Sequence, residues 1–296
     1  MSYQHVPVML TEILAYLGPV PGKTFIDCTL GGGGYTFALA RAVGPSGEVV
    51  SLDIDRLAIA NAKALISSQN LKNIRLFNDN FRNLAAVAAA AFPENGQVDG
   101  IVFDLGLSSA QLEDEARGFS FKGERPLDMS FGPANTRSTA AIVNGYSLPD
   151  LTAIFREYGE ERYAYRIAKA IVEVRRTQPL RTTGDLVQVI EAAVPSRFRA
   201  RIHPATRIFQ ALRMETNDEL ASLREALAAA LILLKPGGRL VVVSFHSGED
   251  RIVKRFFKDT ADLEILTKRP LIPTEEEVAA NPRSRSAKLR AASKTR

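Results

Sequence analysis

Residues 25–36 read Phe-Ile-Asp-Cys-Thr-Leu-Gly-Gly-Gly-Gly-Tyr-Thr. An apolar run ends in an acid, Asp27, and four consecutive glycines precede a helix-forming stretch. A plain strand-to-helix turn does not need four glycines. Such a run lets the backbone approach a ligand where side chains would clash. The segment therefore predicts a strand, a cofactor loop and a helix, the opening unit of an α/β domain. A dinucleotide loop requires G-x-G-x-x-G/A, but the third position falls on Thr36 or Phe37, and the register from Gly33 fails at Tyr35. No Lys follows the glycines as in a phosphate-binding P-loop. The expected ligand is a nucleoside without a pyrophosphate, which argues against a nicotinamide oxidoreductase.

The surrounding pattern supports an α/β sheet. Thr24–Cys28, Glu48–Asp53, Ile74–Phe77 and Val98–Asp104 read as strands, and Tyr35–Val43, Arg56–Ser67 and Leu84–Phe92 as the helices between them. Strands separated by helices imply right-handed crossovers and a mostly parallel sheet. Asp53 ends the second strand about 20 residues after the glycines, where such folds place a carboxylate for ribose hydroxyls. Asp55 reads as a helix N-cap. Asp27, Asp53 and Asp104 are all expected at the carboxyl edge of the sheet, where ligands bind. S-adenosylmethionine fits this set: a ribose for Asp53, an adenine beside Phe81 and an ammonium for a carboxylate.

From Gln111 to Glu215 no buried strand is evident. Arg117–Thr136 reads as a loop, and Leu148–Gly159, Arg162–Arg176, Thr183–Ala193 and Pro204–Met214 as helices. Ser147 with Asp150 and Thr182 with Asp185 resemble capping boxes. Alternation then resumes. Thr216-x-x-Glu219 is expected to cap a leucine-rich helix that ends at Lys235-Pro-Gly-Gly238. Arg239–Phe245 reads as a strand, Glu249–Lys258 as a helix and Leu263–Thr267 as a last strand. The predicted architecture is a sheet domain, residues 1–111 plus 216–296, interrupted by an inserted helical domain, residues 112–215. Residues 282–296 are expected to form a mobile basic tail.

Charge is distributed unevenly over the 296 residues. The net charge is +5, yet Arg162–Arg213 alone carries +8 and Asn281–Arg296 carries +6. A mildly acidic body with two basic regions suits a polyanionic partner. One cysteine and three scattered histidines give neither a disulfide framework nor metal-ligand spacing, so no metal is expected. No uncharged apolar run reaches the roughly 18 residues of a membrane span. The N-terminal residues lack the basic-then-apolar pattern of a secretory signal, so the cytoplasm is the expected location.

Several segments together carry a resemblance. They are HVPVMLTEIL at 5–14, FIDCTLGGGGYT at 25–36, DLGLSSAQLE at 104–113, RRTQPLRTTGDL at 175–186, IHPATRIFQALRMETNDEL at 202–220, KPGGRLVVVSFHSGEDRIVKRF at 235–256 and NPRSRSAKLR at 281–290. In order and through nearly the whole chain, they resemble the bacterial ribosomal RNA small-subunit cytosine-N4 methyltransferases, the RsmH (MraW) family. The resemblance implies a class I S-adenosylmethionine-dependent methyltransferase fold with an inserted helical domain. It implies methylation of N4 of one cytidine in the decoding centre of 16S rRNA, with S-adenosylhomocysteine as the second product and an assembled small subunit as partner. DNA and membranes are not expected as partners, and the chain is expected to be a monomer or homodimer. Cofactor contacts carry over to Gly33, Gly34, Tyr35, Asp53, Phe81, Asp104 and Gln111. Tyr35 departs from the family's usual histidine, and Gly248 from its usual leucine.

The substrate sets the catalytic requirement. The cytosine amino lone pair is delocalised into the ring, so the enzyme must accept a hydrogen bond from N4 and receive the proton it loses. Other amino-methylating enzymes use a D/N/S-P-P-Y/F/W motif; here Asp104-Leu-Gly-Leu107 stands at that place. Asp104, Ser108, Ser109, Ser244 and His246 are the catalytic candidates. Arg175, Arg176, Arg181, Arg197, Arg199, Arg201, His203 and Arg207 are candidates for RNA contact, with Tyr163, Tyr165 and Phe198 either stacking on bases or packing in a core. His203 is equally placed to cap a helix, His5 is assigned to the cofactor pocket or the surface alike, and Cys28 is expected in the core.

Overall fold

A computed structural model describes residues 7–93, 96–107, 117–121, 123–132, 137–195 and 203–296. The chain divides into two compact units, Met1–Gly106 with Leu220–Arg296, and Leu107–Glu219.

The first unit is built on α1 (Leu10–Leu17), β1 (Thr24–Asp27), α2 (Gly34–Val43), β2 (Glu48–Leu52), α3 (Arg56–Gln69), β3 (Ile74–Phe77), α4 (Leu84–Ala91) and β4 (Val98–Asp104). The second contains α5 (Thr139–Gly145), α6 (Leu148–Glu157), α7 (Ala164–Val174), α8 (Thr183–Ala193) and α9 (Pro204–Asn217). The chain then runs through α10 (Glu219–Leu233), β5 (Leu234–Ser244), α11 (Ser247–Asp259), β6 (Leu263–Ile265), α12 (Glu275–Ala280) and β7 (Lys288–Lys294).

Among the described residues seven strands form one sheet in the order β3-β2-β1-β4-β5-β7-β6. The first five are parallel, and β7 runs antiparallel to both β5 and β6. The reversal of strand order beside β1 opens the crevice at which such sheets bind ligands. Strand β4 is buried because helices cover both faces: Ile101 and Phe103 pack with Leu84, Val87 and Leu227, while Val102 packs with Ile13, Leu39 and Val241. Burial on both faces explains the unbroken apolar run.

Two expectations are corrected. Residues 282–296 are not a mobile tail, because Lys288–Lys294 form β7, paired with six residues of β5. Arg290 is buried there, and its guanidinium donates to Asp250 at 2.6 and 3.3 Å. Thr216 does not cap α10; it lies inside α9, with its hydroxyl 2.8 Å from that of Thr139. The break comes at Asp218, whose φ is +50°. The leucine-rich helix α10 ends at Leu233, where Lys235–Gly238 was expected to stop it, and that segment bulges out of β5, whose partner register against β4 jumps between Leu234 and Arg239.

The second unit has its own apolar core, including Ile142, Leu151, Phe155, Ile167, Leu186 and Ile208. Two of its helices begin on side-chain caps legible in the sequence: Ser147 accepts from Asp150 N, and Thr182 and Asp185 form a reciprocal capping box. Each such cap contributes about 1 kcal/mol.

Candidate active site at the carboxyl edge of the sheet

The glycine loop is held by buried carboxylates. Asp27 has no exposed surface; one oxygen accepts from Thr29 N at 3.1 Å and the other from Thr36 Oγ1 at 2.7 Å. Burial raises its pKa. Asp27 therefore fastens the start of α2 to β1 and is not a ligand contact. Within the loop, Gly33 N donates to Leu30 O at 2.6 Å, and Gly33 adopts φ +80°. A Cβ on Gly33 would stand 2.4 Å from the Phe37 ring, and one on Gly34 would stand 2.6 Å from Pro7. Protein packing thus requires these two glycines. The loop delivers the first N–H groups of α2, which lack intrahelical acceptors, to the sheet edge.

Asp53 joins this loop to the end of β2. Its Oδ2 accepts from Gly31 N and its Oδ1 from Asp55 N, both at 2.8 Å. Burial pushes its pKa up to about 6. Asp55 caps α3 through Leu57 N. Past β3, Asn78 donates to the carbonyls of Asp53 and Ile54, and Phe81 follows in a short 3-10 turn. The half-buried Phe81 ring meets Phe103 edge-on, with centroids 5.9 Å apart. Asp53 and Phe81 thus stand at neighbouring strand ends, an acceptor and an apolar face suited to a nucleoside.

Asp104 closes β4. Its N–H donates to Thr29 Oγ1 at 2.7 Å, and its Oδ1 is shut off from solvent with no hydrogen-bond partner among the described residues. Burial and the nearby Asp27 charge push its pKa up to about 8. A buried acceptor left bare costs about 1–3 kcal/mol and calls for a donor or a cation.

The remaining candidates separate. The Tyr35 ring is buried with Val8, Ile13 and Leu39 and its hydroxyl donates to Val8 O at 2.6 Å, so the backbone contact expected at this position stays open to it. Ser244 is buried, and its hydroxyl donates to Lys288 O on β7 at 3.3 Å, which removes it from the catalytic set. His246 caps α11: Nδ1 accepts from Glu249 N at 3.3 Å, and Glu249 Oε2 accepts from Phe245 N and His246 N. This fixes the proton on Nε2, which lies 3.1 Å from Glu249 Oε1 but off its N–H direction, without a hydrogen bond. Cys28 is buried in the core, where burial pushes its thiol pKa well up. His5, Ser108, Ser109, Gln111, Arg197, Phe198, Arg199 and Arg201 lie outside the described residues.

The basic residues of the helical unit also divide. Arg175 is corrected as an RNA contact, since its guanidinium donates to Val143 O at 2.7 Å and Tyr146 O at 2.5 Å, tying α7 to the end of α5. His203 is likewise committed: Nδ1 caps α9, Nε2 lies 3.0 Å from Glu191, and the ring stacks on Phe121. Arg207 sits 3.7 Å from Glu161. Arg176 and Arg181 are exposed. Tyr163 packs against the core under Arg162, whereas Tyr165 is 52% exposed.

Known proteins resemble this chain over nearly its whole length. Ribosomal RNA small subunit methyltransferase H of Thermomicrobium roseum is 47% identical, over 99% of this chain and 94% of that protein. The protein of the same name from Heliobacterium modesticaldum is 44% identical over the full length of both. A solved rRNA methylase from Streptococcus thermophilus shares 11% identity with a TM-score of 0.48, covering 99% of this chain and all of that one. The sequence profile of the MraW methylase family matches residues 2–295, and the chain belongs to that family.

Proposed function

We propose that this protein transfers the methyl group of S-adenosylmethionine to the exocyclic N4 of a cytidine in the decoding centre of small-subunit rRNA. The observation that carries the reading is the near-full-length match to relatives named as small-subunit rRNA methyltransferases. The cytidine position rests on the motif resemblance, and the site chemistry supports it.

The residues present fit the cofactor. The backbone at Gly33, Gly34 and Tyr35 and the first N–H groups of α2 suit the amino-acid carboxylate, Asp53 the ribose and Phe81 the adenine; the bare Oδ1 of Asp104 suits a cation or N–H donor. Bound there, S-adenosylmethionine supplies an electrophilic methyl group. The chain's own task is to place N4 in line with the methyl–sulfur bond, to accept an N4 hydrogen so that the lone pair turns toward the methyl, and to take the proton released. Asp104 is the described acceptor at the sheet edge. The Nε2–H of His246 is a buried donor fitted to an acceptor on the base, N3 or O2. A target base must leave its stack to reach such a site. Of the described candidates, Arg176, Arg181 and Tyr165 are exposed and suited to phosphates and unstacked bases.

The test is methyl transfer from labelled cofactor to small subunits, naked small-subunit rRNA and duplex DNA. Label in the RNA of subunits supports the reading. Label in DNA alone identifies a DNA amino-methyltransferase. Cofactor binding without label in any substrate identifies an RNA-binding assembly factor.

A further inference from the structure

The basic residues of the chain's end are consumed within the sheet unit. Arg290 donates to Asp250, and Lys288 lies 3.6 Å from the same carboxylate. Lys294 donates to Leu234 O at 2.7 Å, and Arg296 to Asp262 at 2.9 Å. The helix that carries Asp250 is different. In α11, Glu249, Val253 and Phe257 are buried, whereas Arg251, Lys254, Arg255 and Lys258 are exposed. Spaced three and four residues apart, these four cations form one stripe on the face opposite the core.

The acids of α11 do not balance the stripe. Glu249 is buried, Asp250 is taken by β7, and Asp259 is the last residue of the helix. Among the described residues Lys254, Arg255 and Lys258 form no ion pair. A solvated helix face ordinarily interleaves acids with its cations. Like charges three and four residues apart oppose the helix they stand on, so the stripe becomes favourable once an anion covers it.

Position identifies that anion. Strand β5 pairs with β4 with Val243 opposite Asp104, and His246 caps α11 just past the end of β5. The stripe thus begins about two turns from the sheet's carboxyl edge. Strand β7 is antiparallel and pairs Lys288 with Ser244, so the 3-10 turn before it, Pro282–Ser286, lies at the same end of the sheet. Arg285 in that turn is exposed. From Arg251 to Lys258 the helix rises about 10 Å, roughly the axial length of three phosphates on one strand.

We propose that the exposed face of α11, with Arg285 beside it, is an RNA-contact surface of the sheet unit itself, a track for the phosphate backbone of the rRNA strand whose base enters the sheet edge. The proposal rests on small-subunit rRNA being the substrate but not on which atom receives the methyl.

The experiment is filter binding of the full-length protein to small-subunit rRNA across a salt series, with wild type compared with the triple variant Lys254→Gln, Arg255→Gln, Lys258→Gln. Gln is about as good a helix former as Lys or Arg, so Tm and S-adenosylmethionine affinity should hold. The slope of log K against log salt should shrink by about 2–3, since each lost phosphate contact removes roughly 0.7–0.9. The KM for small subunits at physiological salt should rise about tenfold or more with kcat unchanged. Should the triple variant lose its melting transition, Lys254→Gln with Lys258→Gln carries the same test, with a fall in slope of about 1.4–1.8. Lys63→Gln with Lys72→Gln, which removes two exposed cations elsewhere in the unit, should leave the slope unchanged. An unchanged slope in the α11 variants, or an equal loss per charge in the control pair, would overturn the proposal. Weakened binding to phosphatidylglycerol vesicles with rRNA binding intact would assign the stripe to a membrane surface and overturn it as well. Failure of the wild type to bind rRNA would refute both the substrate reading and this proposal, whereas a failed N4 assay with the slope change intact would refute only the methylated atom.

Discussion

Replacing Asp53 by Asn should move stability and affinity in opposite directions. In the free protein the Asp53 carboxyl is raised from 3.8 to about 6 by burial. At about 1.36 kcal/mol per pKa unit, ionised Asp53 carries roughly 3 kcal/mol of penalty at neutral pH. Asn removes the charge and keeps one oxygen for Gly31 N or Asp55 N, but sets an N–H₂ against the other. The net gain expected is about 1–2 kcal/mol, or a few degrees in Tm. The cofactor loses its charged partner for the ribose hydroxyls, worth roughly 1.5–3 kcal/mol, so affinity should fall about 10- to 150-fold. Thermal melting and calorimetry with S-adenosylmethionine read the two effects. Affinity within about threefold of wild type would remove Asp53 from the site. A lower Tm would refute the account of a buried, costly charge.

The same electrostatics set the pH dependence. Asp53 at about 6 and Asp104 at about 8 both lie above their unfolded values. The native state therefore holds more protons than the unfolded chain, and the stability these groups contribute at low pH is lost as pH rises through 6 and 8. The ligand-free Tm should decline between about pH 5 and 9, and a Tm that rises over that range would contradict it. Deleting residues 288–296 removes β7 from between β5 and β6 and should abolish the cooperative melting transition; an unchanged Tm would show that β7 is dispensable. Arg175→Gln should lower stability by about 2 kcal/mol while leaving the salt dependence of RNA binding intact. Arg176→Gln with Arg181→Gln should do the reverse, reducing the slope of log K against log salt by roughly 0.7–0.9 per lost phosphate contact. Filter binding across a salt series separates the two outcomes.

The parallel half of the sheet was legible because its strands are unbroken apolar runs between helices, each ending on an acid or turn. Asp55, Ser147 and Thr182 were legible as caps because a side-chain cap is a local interaction. The last strand was not. Lys-Leu-Arg-Ala-Ala-Ser-Lys lacks the β-branched residues that mark strands, and its cationic character reads as solvated. It is a strand because β5 and β6 pair with it and because Asp250, forty residues earlier, receives the Arg290 guanidinium. Arg175 failed for a related reason: charge is visible in a sequence, but the two carbonyls that consume it are not. At the site, Asp27, Asp53 and Asp104 have the same residue type and the same place at strand ends. Only their partners separate them into a fastener, a loop-bridging acceptor and a carboxyl with one bare oxygen. Ser244 was misassigned because the strand its hydroxyl faces is distant in sequence.

The central claim is that this sheet edge methylates a cytosine amino group in small-subunit rRNA. It is tested most directly by incubating small subunits from cells lacking the enzyme with the purified protein and S-adenosylmethionine, then resolving the rRNA nucleosides by mass spectrometry. The account predicts one new methyl group per subunit, carried on N4 of cytidine and absent when Asp104→Ala replaces the wild type. A methyl group on a ring carbon, on the ribose or on another base would contradict it.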